Sequence, residues 1–314
     1  MFERSIELFK ESICDEGFLT SINFVYEQIS RYVIDGLYTK TFYQPHCSPS
    51  KYYLINNVAG MGIKMITFSD DFGISKELLR YKTHESASTK ILRKLLSKGM
   101  NCLDLGSNIG YYATIESKLI GNSGKVYAME PIPRNFNLLK QNIKVNNLKN
   151  VQPFNMAASN YDGQINLYLS NKSNLCSAIK TDTLLNQTIT RKATTVDSFL
   201  ETENIQPENI NLLRMDVEGY ETKILEGAKN LLEHSKNITL FIEFHTAIIK
   251  SQGINLEDTF GLIEDYGFTL YKAVNKRDAD SKVVLNNMKS SKDVLRSHLM
   301  RGKGGFHLFF TKND

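Results

Sequence analysis

The chain has 314 residues, of which 41% are hydrophobic and 23% are charged, and its formal net charge is +4. These values are typical of a globular protein with a buried core, and they exclude wholesale disorder. So small a positive charge does not indicate a protein dedicated to nucleic-acid binding, which usually carries a dense basic patch.

The N-terminus and the hydrophobic runs predict a cytoplasmic protein. The first residues, Met1-Phe2-Glu3-Arg4, lack the basic and apolar regions of a secretory signal peptide. No run of about 18 apolar residues occurs, so no transmembrane helix is expected. The four cysteines, Cys14, Cys47, Cys102 and Cys176, are widely spaced, which is typical of reduced structural thiols.

The stretch 1–45 has a helical pattern with one apolar stripe. Its apolar side chains recur at three- and four-residue spacing and are Phe18, Ile22, Val25, Ile29, Tyr32 and Val33. We expect this stripe to pack on the protein's own core or on a second copy in a homodimer. Peripheral contact with a membrane surface is the alternative. Short strands follow, so we predict an N-terminal extension at 1–72 and a main domain at 73–314.

From residue 100 onward, strands alternate with helices. Strands are predicted at 101–105, 125–129, 151–157, 165–169, 192–196, 209–217, 237–245, 269–273 and 306–311, and helices at 85–97, 111–120, 134–146, 220–232 and 256–266. The polar stretch 275–303 is expected to be a long loop with one helix. This alternation predicts an α/β fold with a doubly wound, mostly parallel sheet and helices on both faces.

The segment from Asp104 to Gly110 joins a predicted strand to a predicted helix, where an open α/β sheet binds nucleotide-like ligands. Its pattern is Asp-x-Gly-x-Asn-x-Gly, with Gly106, Ser107 and Asn108 in the loop. The glycines allow a sharp turn and a close approach to a ligand. A dinucleotide site would need Gly-x-Gly-x-x-Gly. The spacing therefore favours S-adenosylmethionine over NAD, and a purely structural loop is the remaining alternative.

Glu130 and Pro131 follow the second strand of this domain, shortly after the loop. A carboxylate at this place can accept hydrogen bonds from both hydroxyl groups of a ribose. Together with the loop, Glu130 indicates a cofactor that contains adenosine, although it does not distinguish NAD from S-adenosylmethionine.

These motifs and two later segments resemble the FkbM family of S-adenosylmethionine-dependent methyltransferases. The later segments are Leu213-Arg214-Met215-Asp216-Val217-Glu218-Gly219-Tyr220-Glu221 and Leu240-Phe241-Ile242-Glu243-Phe244-His245. The family pattern D-x-G-A-N-x-G-Y, E-P and K-x-D-V-E-G-x-E, with an acid on the next strand, is matched over about residues 72–250. Ser107 replaces the usual alanine, and Arg214 stands where lysine is common.

The resemblance implies a class I methyltransferase-like Rossmann fold and methyl transfer to a hydroxyl of a sugar, glycolipid or secondary metabolite. It implies that the cofactor is bound by Asp104, Gly106, Ser107, Asn108, Gly110, Glu130 and Pro131, that Asn155, Met156 and Ala157 lie near its adenine, and that Tyr111 lines the pocket.

Four ionisable residues are expected beside the cofactor. Asp216 ends the predicted strand 209–217, the fourth of the core, and Glu218 lies two residues on. Glu243 and His245 end the predicted strand 237–245, the fifth of the core, which is its neighbour in a methyltransferase sheet. An alcohol is a poor nucleophile at neutral pH and needs a general base or a metal. We predict His245 or Asp216 as the base. A divalent metal held by Asp216, Glu243 and His245 is possible but not favoured.

Several of these residues also have structural interpretations. Glu218 and Glu221 lie near the first turn of a predicted helix, where carboxylates are favoured. Arg214 and Asp216 share one face of a strand and would neutralise each other if buried. The pair His84-Glu85 precedes a predicted helix and caps either the pocket or the helix.

Other functions are less consistent with the motifs. An NAD(P)-linked oxidoreductase uses the same kind of sheet but a different glycine spacing. Nucleic-acid methyltransferases that modify amino groups carry an Asn/Asp-Pro-Pro-Tyr-like motif after the fourth strand, whereas Asp216-Val217-Glu218-Gly219 has no proline. A binding module that kept the fold without catalysis is the third alternative. The acceptor is expected to be a small molecule or glycan rather than nucleic acid.

Overall fold

The computed structural model describes residues 52–69, 71, 73–169, 176–181, 187–275, 288–297, 300 and 305–312. The helical pattern predicted at 1–45 and most of the loop predicted at 275–303 lie outside the described residues. Within the described ranges, no helix combines the length and the hydropathy that a membrane span requires.

The chain alternates between strands and helices through most of its length. In chain order the elements are β1 (Tyr52–Val58), β2 (Ile63–Phe68), α1 (Ile74–Tyr81), α2 (Ser86–Leu95), β3 (Cys102–Leu105), α3 (Tyr111–Ile120), β4 (Val126–Met129), α4 (Pro133–Val145), β5 (Val151–Phe154), β6 (Ala157–Ala158), β7 (Gly163–Tyr168), β8 (Thr188–Thr194), α5 (Val196–Thr202), β9 (Leu212–Met215), α6 (Glu221–Glu226), α7 (Lys229–His234), β10 (Ile238–Phe244), α8 (Thr246–Ser251), α9 (Leu256–Asp265), β11 (Thr269–Asn275), α10 (Ser291–Arg296) and β12 (Phe306–Lys312).

A seven-stranded sheet organises the molecule, in the order β5-β4-β3-β9-β10-β12-β11. The strands from β5 to β10 are parallel, and β12 runs antiparallel to both of its neighbours. Helices connect the parallel strands, so the predicted doubly wound α/β fold is confirmed. A separate three-stranded sheet, β6-β8-β7, is an excursion from this core.

The register of the central strands brings the predicted site to one edge of the sheet. Leu105, the last residue of β3, pairs with Met129 of β4 and with Met215 of β9. The segments that follow these three strands therefore emerge side by side. Glu130 and Asp216, which come next in the chain, are placed next to the glycine-containing loop.

Hydrophobic side chains cover both faces of the sheet, as is typical of parallel strands buried on both sides. β10 is buried at all seven positions. Its alternate residues face opposite sides, so Leu240 and Phe244 belong to one core cluster and Phe241 belongs to the other. On the second face, Phe241 stacks on Phe309 with ring centroids 4.3 Å apart.

The β1–β2 hairpin packs on α4 through two asparagine side chains. Asn142 accepts the Ile66 N–H at 2.6 Å and donates to the Ile66 carbonyl at 3.0 Å. Asn146 makes the same pair of contacts with Lys64. These amides replace the hydrogen bonds of a neighbouring strand, and they join residues before 72 to the main core.

Local details differ from the sequence-based prediction. The single helix predicted at 220–232 is wrong, because α6 and α7 are separated at Gly227, whose backbone lies against the Ser159 carbonyl. The helices α1, α5 and α8 were not predicted, because segments this short contain too few residues for a clear helical periodicity.

Candidate active site

The loop after β3 is built from residues with positive φ. Gly106, Asn108 and Gly110 have φ values of 79°, 49° and 91°. A Cβ on Gly106 would overlap the carbonyl oxygen of Asp216, so only glycine fits where this loop passes the end of β9. The structural reason for glycine at position 106 is therefore the close approach of two backbone segments.

Glu130 fixes the shape of this loop. Its carboxylate accepts the Asn108 N–H at 2.8 Å and the Ile132 N–H at 2.7 Å, and the residue is 4% exposed. Burial raises the pKa of the Glu130 carboxyl to about 8, although the two backbone N–H donors act in the opposite direction. Removal from water disfavours the charged form more than these donors favour it.

Arg214 joins the loop to the end of β9. Its Nη1 donates to Asp104 Oδ1 at 2.7 Å, and its Nη2 donates to Asp216 Oδ2 at 2.9 Å. The guanidinium lies over the Tyr112 ring, 4.2 Å from the ring centroid. The expectation that Arg214 and Asp216 neutralise each other is confirmed, and Asp104 is a second anionic partner.

Two buried polar atoms of the loop segment lack partners. Among the described residues, neither Asp104 Oδ2 nor Asn108 Oδ1 has a hydrogen-bond partner. Buried polar atoms in native proteins are nearly always paired with protein, water or ligand. Both atoms are acceptors that a donor group would satisfy; Asn108 lines the neighbouring cavity, whereas Asp104 is fully buried and is not among the residues of its lining.

A cavity of about 670 Å³, including its open mouth, lies beside this loop. Its lining includes six predicted cofactor residues, Gly106, Asn108, Glu130, Pro131, Met156 and Ala157, and two predicted catalytic residues, Asp216 and Glu218. The cavity therefore brings the two predicted halves of the site together.

One wall of the cavity was missed by the sequence analysis. It is apolar and consists of Ile165 and Leu167 from β7 with Cys176 and Ala178 from the segment after it. The segment is held in place by Ser177, whose hydroxyl donates to the Glu218 carbonyl at 2.6 Å. The strand pattern around Ile165 was recognised, but no local signal shows that it faces the cavity.

The other predicted cofactor residues support the site from behind. Ser107 donates to the Asp104 carbonyl, Asn155 donates to the Glu130 carbonyl, and Gly110 lies against the Leu139 side chain. Tyr111 is buried away from the cavity lining, and its hydroxyl accepts the His84 backbone N–H at 3.1 Å. These side chains hold the loop, β4 and α2 together.

His245 lies within a group of three carboxylates. Its Nδ1 is 2.9 Å from Glu221 Oε1, and its Nε2 is 3.1 Å from both Glu218 Oε2 and Glu243 Oε1. Burial by itself lowers the pKa of His245. The surrounding carboxylates outweigh this effect and raise the pKa well above the ordinary value for histidine. Of the four predicted catalytic residues, only Asp216 and Glu218 line the cavity.

A second buried group continues from Glu243. Its Oε2 lies 3.2 Å from His307 Nε2, which is 3.5 Å from Glu85 Oε2. Glu85 is the N-cap residue of α2, but its side chain makes no cap and instead accepts the Tyr112 hydroxyl at 2.8 Å. The sequence analysis missed His307. The one feature that could have pointed to it is the presence of a histidine within the apolar strand β12.

The antiparallel last strand, the doubly wound sheet and the cavity at the strand ends define a class I methyltransferase-like fold. The chain also matches the family model described as "Methyltransferase FkbM domain" over residues 104–270, more than half of its length. The protein therefore belongs to the FkbM methyltransferase family, as the motifs predicted.

Curated relatives match over short segments. A protein-L-isoaspartate O-methyltransferase of Methanococcus maripaludis is 39% identical over 57 residues, which is 18% of this chain and 27% of that protein. A ribosomal RNA large subunit methyltransferase E of Buchnera aphidicola is 46% identical over 43 residues, 14% of this chain and 21% of that protein. The matched segments thus span about a quarter of these relatives.

Solved structures are similar over longer stretches at low identity. A SAM-dependent methyltransferase from Aquifex aeolicus is 17% identical, covers 71% of this chain and 87% of its own, and has a TM-score of 0.38. A methyltransferase FkbM from Methylobacillus flagellatus is 13% identical, covers 74% of this chain and 52% of its own, and has a TM-score of 0.39.

Proposed function

We propose that this protein transfers a methyl group from S-adenosylmethionine to a hydroxyl oxygen of a sugar, glycolipid or secondary metabolite. The observation that carries the proposal is a single cavity with two kinds of lining. Its lining combines the glycine-containing loop and Glu130 with the carboxylates Asp216 and Glu218. Membership of the FkbM family supports the same reaction.

The residues present fit this cofactor. Asp104 Oδ2 and Asn108 Oδ1 are buried acceptors without partners among the described residues, which suits the ammonium end of the ligand. Glu130, Met156 and Ala157 all line the cavity, where Glu130 would accept the ribose hydroxyls and the other two would contact the adenine. When bound, the cofactor supplies an electrophilic methyl group on a sulfonium.

The chain's own residues then have two tasks. The first is to hold the acceptor oxygen in line with the methyl group, since positioning lowers the barrier of such a displacement. The second is to remove the hydroxyl proton, because a neutral alcohol is a poor nucleophile. The cavity-lining carboxylates Asp216 and Glu218, with His245 and Glu243 behind them, are placed for this task. They act either as acid–base groups or as metal ligands.

We also propose that residues 73–314 form the methyltransferase domain and that 1–72 is an extension of it. The apolar stripe in 1–45 would then serve homodimer formation, with peripheral membrane contact as the alternative. A cytoplasmic location suits a reaction that uses a soluble cofactor.

The cofactor assignment is tested by thermal shift with S-adenosylmethionine and, separately, with NAD. At about 100 times its Kd a ligand stabilises the fold by roughly 2.7 kcal/mol. Stabilisation by S-adenosylmethionine alone is expected. Stabilisation by NAD alone would contradict the proposal and favour an oxidoreductase.

The reaction is tested by a methyl-transfer screen against glycans, lipid-linked sugars and hydroxylated metabolites, with detection of the product by mass. Asp216→Asn is expected to lower kcat by about 100-fold or more, as for loss of an acid–base group. The matched control is Glu226→Gln, a surface residue paired with Lys223. Cofactor binding without turnover on any acceptor would favour a binding module.

A further inference from the structure

The surroundings of His245 are unusual because both ring nitrogens face carboxylate oxygens. Nδ1 lies 2.9 Å from Glu221, and Nε2 lies 3.1 Å from Glu218 and from Glu243. A neutral imidazole has one N–H and one lone pair, so neither neutral tautomer satisfies both sides. With Nδ1–H donated to Glu221, the Nε2 lone pair would point at anionic oxygens unless a proton or a metal ion lies between them.

We propose that a divalent transition-metal ion binds here, with His245 Nε2 and carboxylate oxygens of Glu243 and Asp216 as ligands. The ligand atoms of His245, Glu243 and Asp216 all lie within 4.8 Å of one another. One imidazole with several carboxylates is a donor set that suits Mn²⁺ or Zn²⁺.

The distances around Nε2 agree with a shared metal ion. Bonds of about 2.1 Å place neighbouring ligand atoms about 3.0 Å apart at a right angle and about 3.4 Å apart at a tetrahedral angle. Glu243 Oε1 lies 3.1 Å from Nε2, between these two values, and Glu218 Oε2 lies at the same distance as a neighbouring carboxylate. An ion can therefore be accommodated with only small movements of these side chains.

Glu221 holds the histidine in the orientation that a metal needs. Histidines that bind metals usually donate their other N–H to a carboxylate or carbonyl. Glu221 is fully buried, and the oxygen that faces His245 also accepts the Gly219 N–H at 3.0 Å. Glu218 has a φ of 54°, an uncommon conformation for a residue with a Cβ and one that occurs preferentially at functional sites.

The position also gives the ion access to the cavity. The side chain of Asp216 is 20% exposed and lines the cavity, whereas that of Glu243 is 2% exposed. An ion held between them would be open on the Asp216 side. There it would lower the pKa of an acceptor hydroxyl. This role rests on the proposed function, whereas metal binding itself does not.

A second group of possible ligands shares Glu243. The ligand atoms of Glu85, Glu243 and His307 also lie within 4.8 Å of one another. Here His307 Nδ1 faces the Ser88 hydroxyl at 2.6 Å, and a hydroxyl can donate as well as accept. A neutral tautomer with Nε2–H donated to Glu243 therefore satisfies His307, and we place the ion at His245.

The test is metal binding by the whole chain, without cofactor or acceptor. Protein stripped with chelator is titrated with Mn²⁺ and with Zn²⁺ by calorimetry, and the bound metal is counted by elemental analysis. A single ion per chain is expected. His245→Gln and the isosteric Glu243→Gln should weaken binding at least as much as Glu221→Gln, for which loss of an orienting partner predicts about 10- to 100-fold.

The controls are His307→Gln, from the neighbouring group, and His234→Gln, an exposed histidine on α7. His234→Gln should bind the ion as the unchanged protein does, and His307→Gln, which changes a partner of Glu243, should lose no more affinity than Glu221→Gln. Circular dichroism checks that each variant is folded. Absence of saturable binding to either ion, or full affinity in folded His245→Gln and Glu243→Gln, would overturn the proposal. So would loss of binding in His307→Gln with retention in His245→Gln.

S-adenosylmethionine binding is measured on the same samples. Metal binding without cofactor binding would contradict the proposed function and still support the proposed metal site. Cofactor binding without metal binding would contradict only the proposed metal site. The carboxylates around His245 would then act as acid–base groups.

Discussion

Glu130 makes cofactor affinity depend on pH in a way that can be calculated. Burial raises the pKa of its carboxyl to about 8, so this group is mostly protonated in the ligand-free protein at pH 7. Ribose hydroxyls donate best to the ionised form, so binding requires loss of this proton. The apparent Kd is then multiplied by one plus the ratio of protonated to ionised Glu130.

With a pKa of about 8, this factor is about 11 at pH 7, about 2 at pH 8 and about 1.1 at pH 9. Affinity is therefore expected to tighten about tenfold from pH 7 to pH 9. In Glu130→Gln the affinity should be weaker at pH 9 and independent of pH, because the amide does not titrate.

Calorimetry with 5′-methylthioadenosine is the sharpest assay. This ligand keeps the adenosine and lacks the ammonium and carboxylate groups of the methionine part, so its own titration does not interfere. A Kd that is the same at pH 7 and pH 9 in the unchanged protein would refute the reasoning. An equal pH dependence in Glu130→Gln would refute it as well.

The same pKa has a consequence for folding, with the opposite sign. A carboxyl whose pKa is raised in the folded state stabilises the fold fully below the pKa of the unfolded chain, and this contribution is lost as pH rises through about 8. In the absence of ligand, the free energy of unfolding should fall by up to about 1.4 kcal/mol per pH unit between pH 5 and pH 8 relative to Glu130→Gln. Urea melts of both proteins at several pH values measure this difference.

The remaining predictions concern packing around the cavity. Gly106→Ala should abolish cofactor binding and destabilise the fold by more than the control Gly253→Ala. Gly253 has a φ of 74° but nothing within 4 Å of an added Cβ, so its substitution should cost only about 1–2 kcal/mol of backbone strain. Equal losses of stability in urea melts would contradict the close approach at Gly106. Arg214→Ala leaves Asp104 and Asp216 without their shared cation and should lower the free energy of unfolding by about 3–5 kcal/mol. A loss of stability near zero would show that these two ion pairs contribute nothing. Phe309→Ala removes a ring stacked on Phe241 and should cost about 3–5 kcal/mol while cofactor affinity, measured by calorimetry, stays unchanged; a large loss of affinity would contradict its assignment to the core alone.

The fold and the cofactor side of the site were accessible from the sequence because their signals are local. The helix predicted at 111–120 has the bounds of α3, and the helix predicted at 134–146 agrees with α4 to within one residue at each end. The Asp104–Gly110 loop and Glu130 lie where strands end, so parallel pairing alone brings them together.

The rest depends on contacts between distant parts of the chain. Nothing in the spacing of Cys176 or Ile165 shows that they form a cavity wall, because their place is fixed by the contact between Ser177 and Glu218. His307 is 64 residues from Glu243 and is brought to it only by the antiparallel pairing of β10 and β12. Tyr111 belongs to a recognised motif, yet its ring direction follows from packing against α2.

Asn142 connects the N-terminal hairpin to the cofactor loop. Besides its two bonds to Ile66, its side-chain amide donates to the Ile109 carbonyl at 2.8 Å, and the residue is fully buried. A chain shortened to begin at the predicted domain boundary would leave this amide half satisfied directly beneath the loop. Water would reach the uncovered amide, so the loss is that of a fixed contact beneath the loop rather than that of an unpaired buried group. We therefore expect removal of the N-terminal residues to weaken cofactor binding before it disturbs the carboxylates around His245.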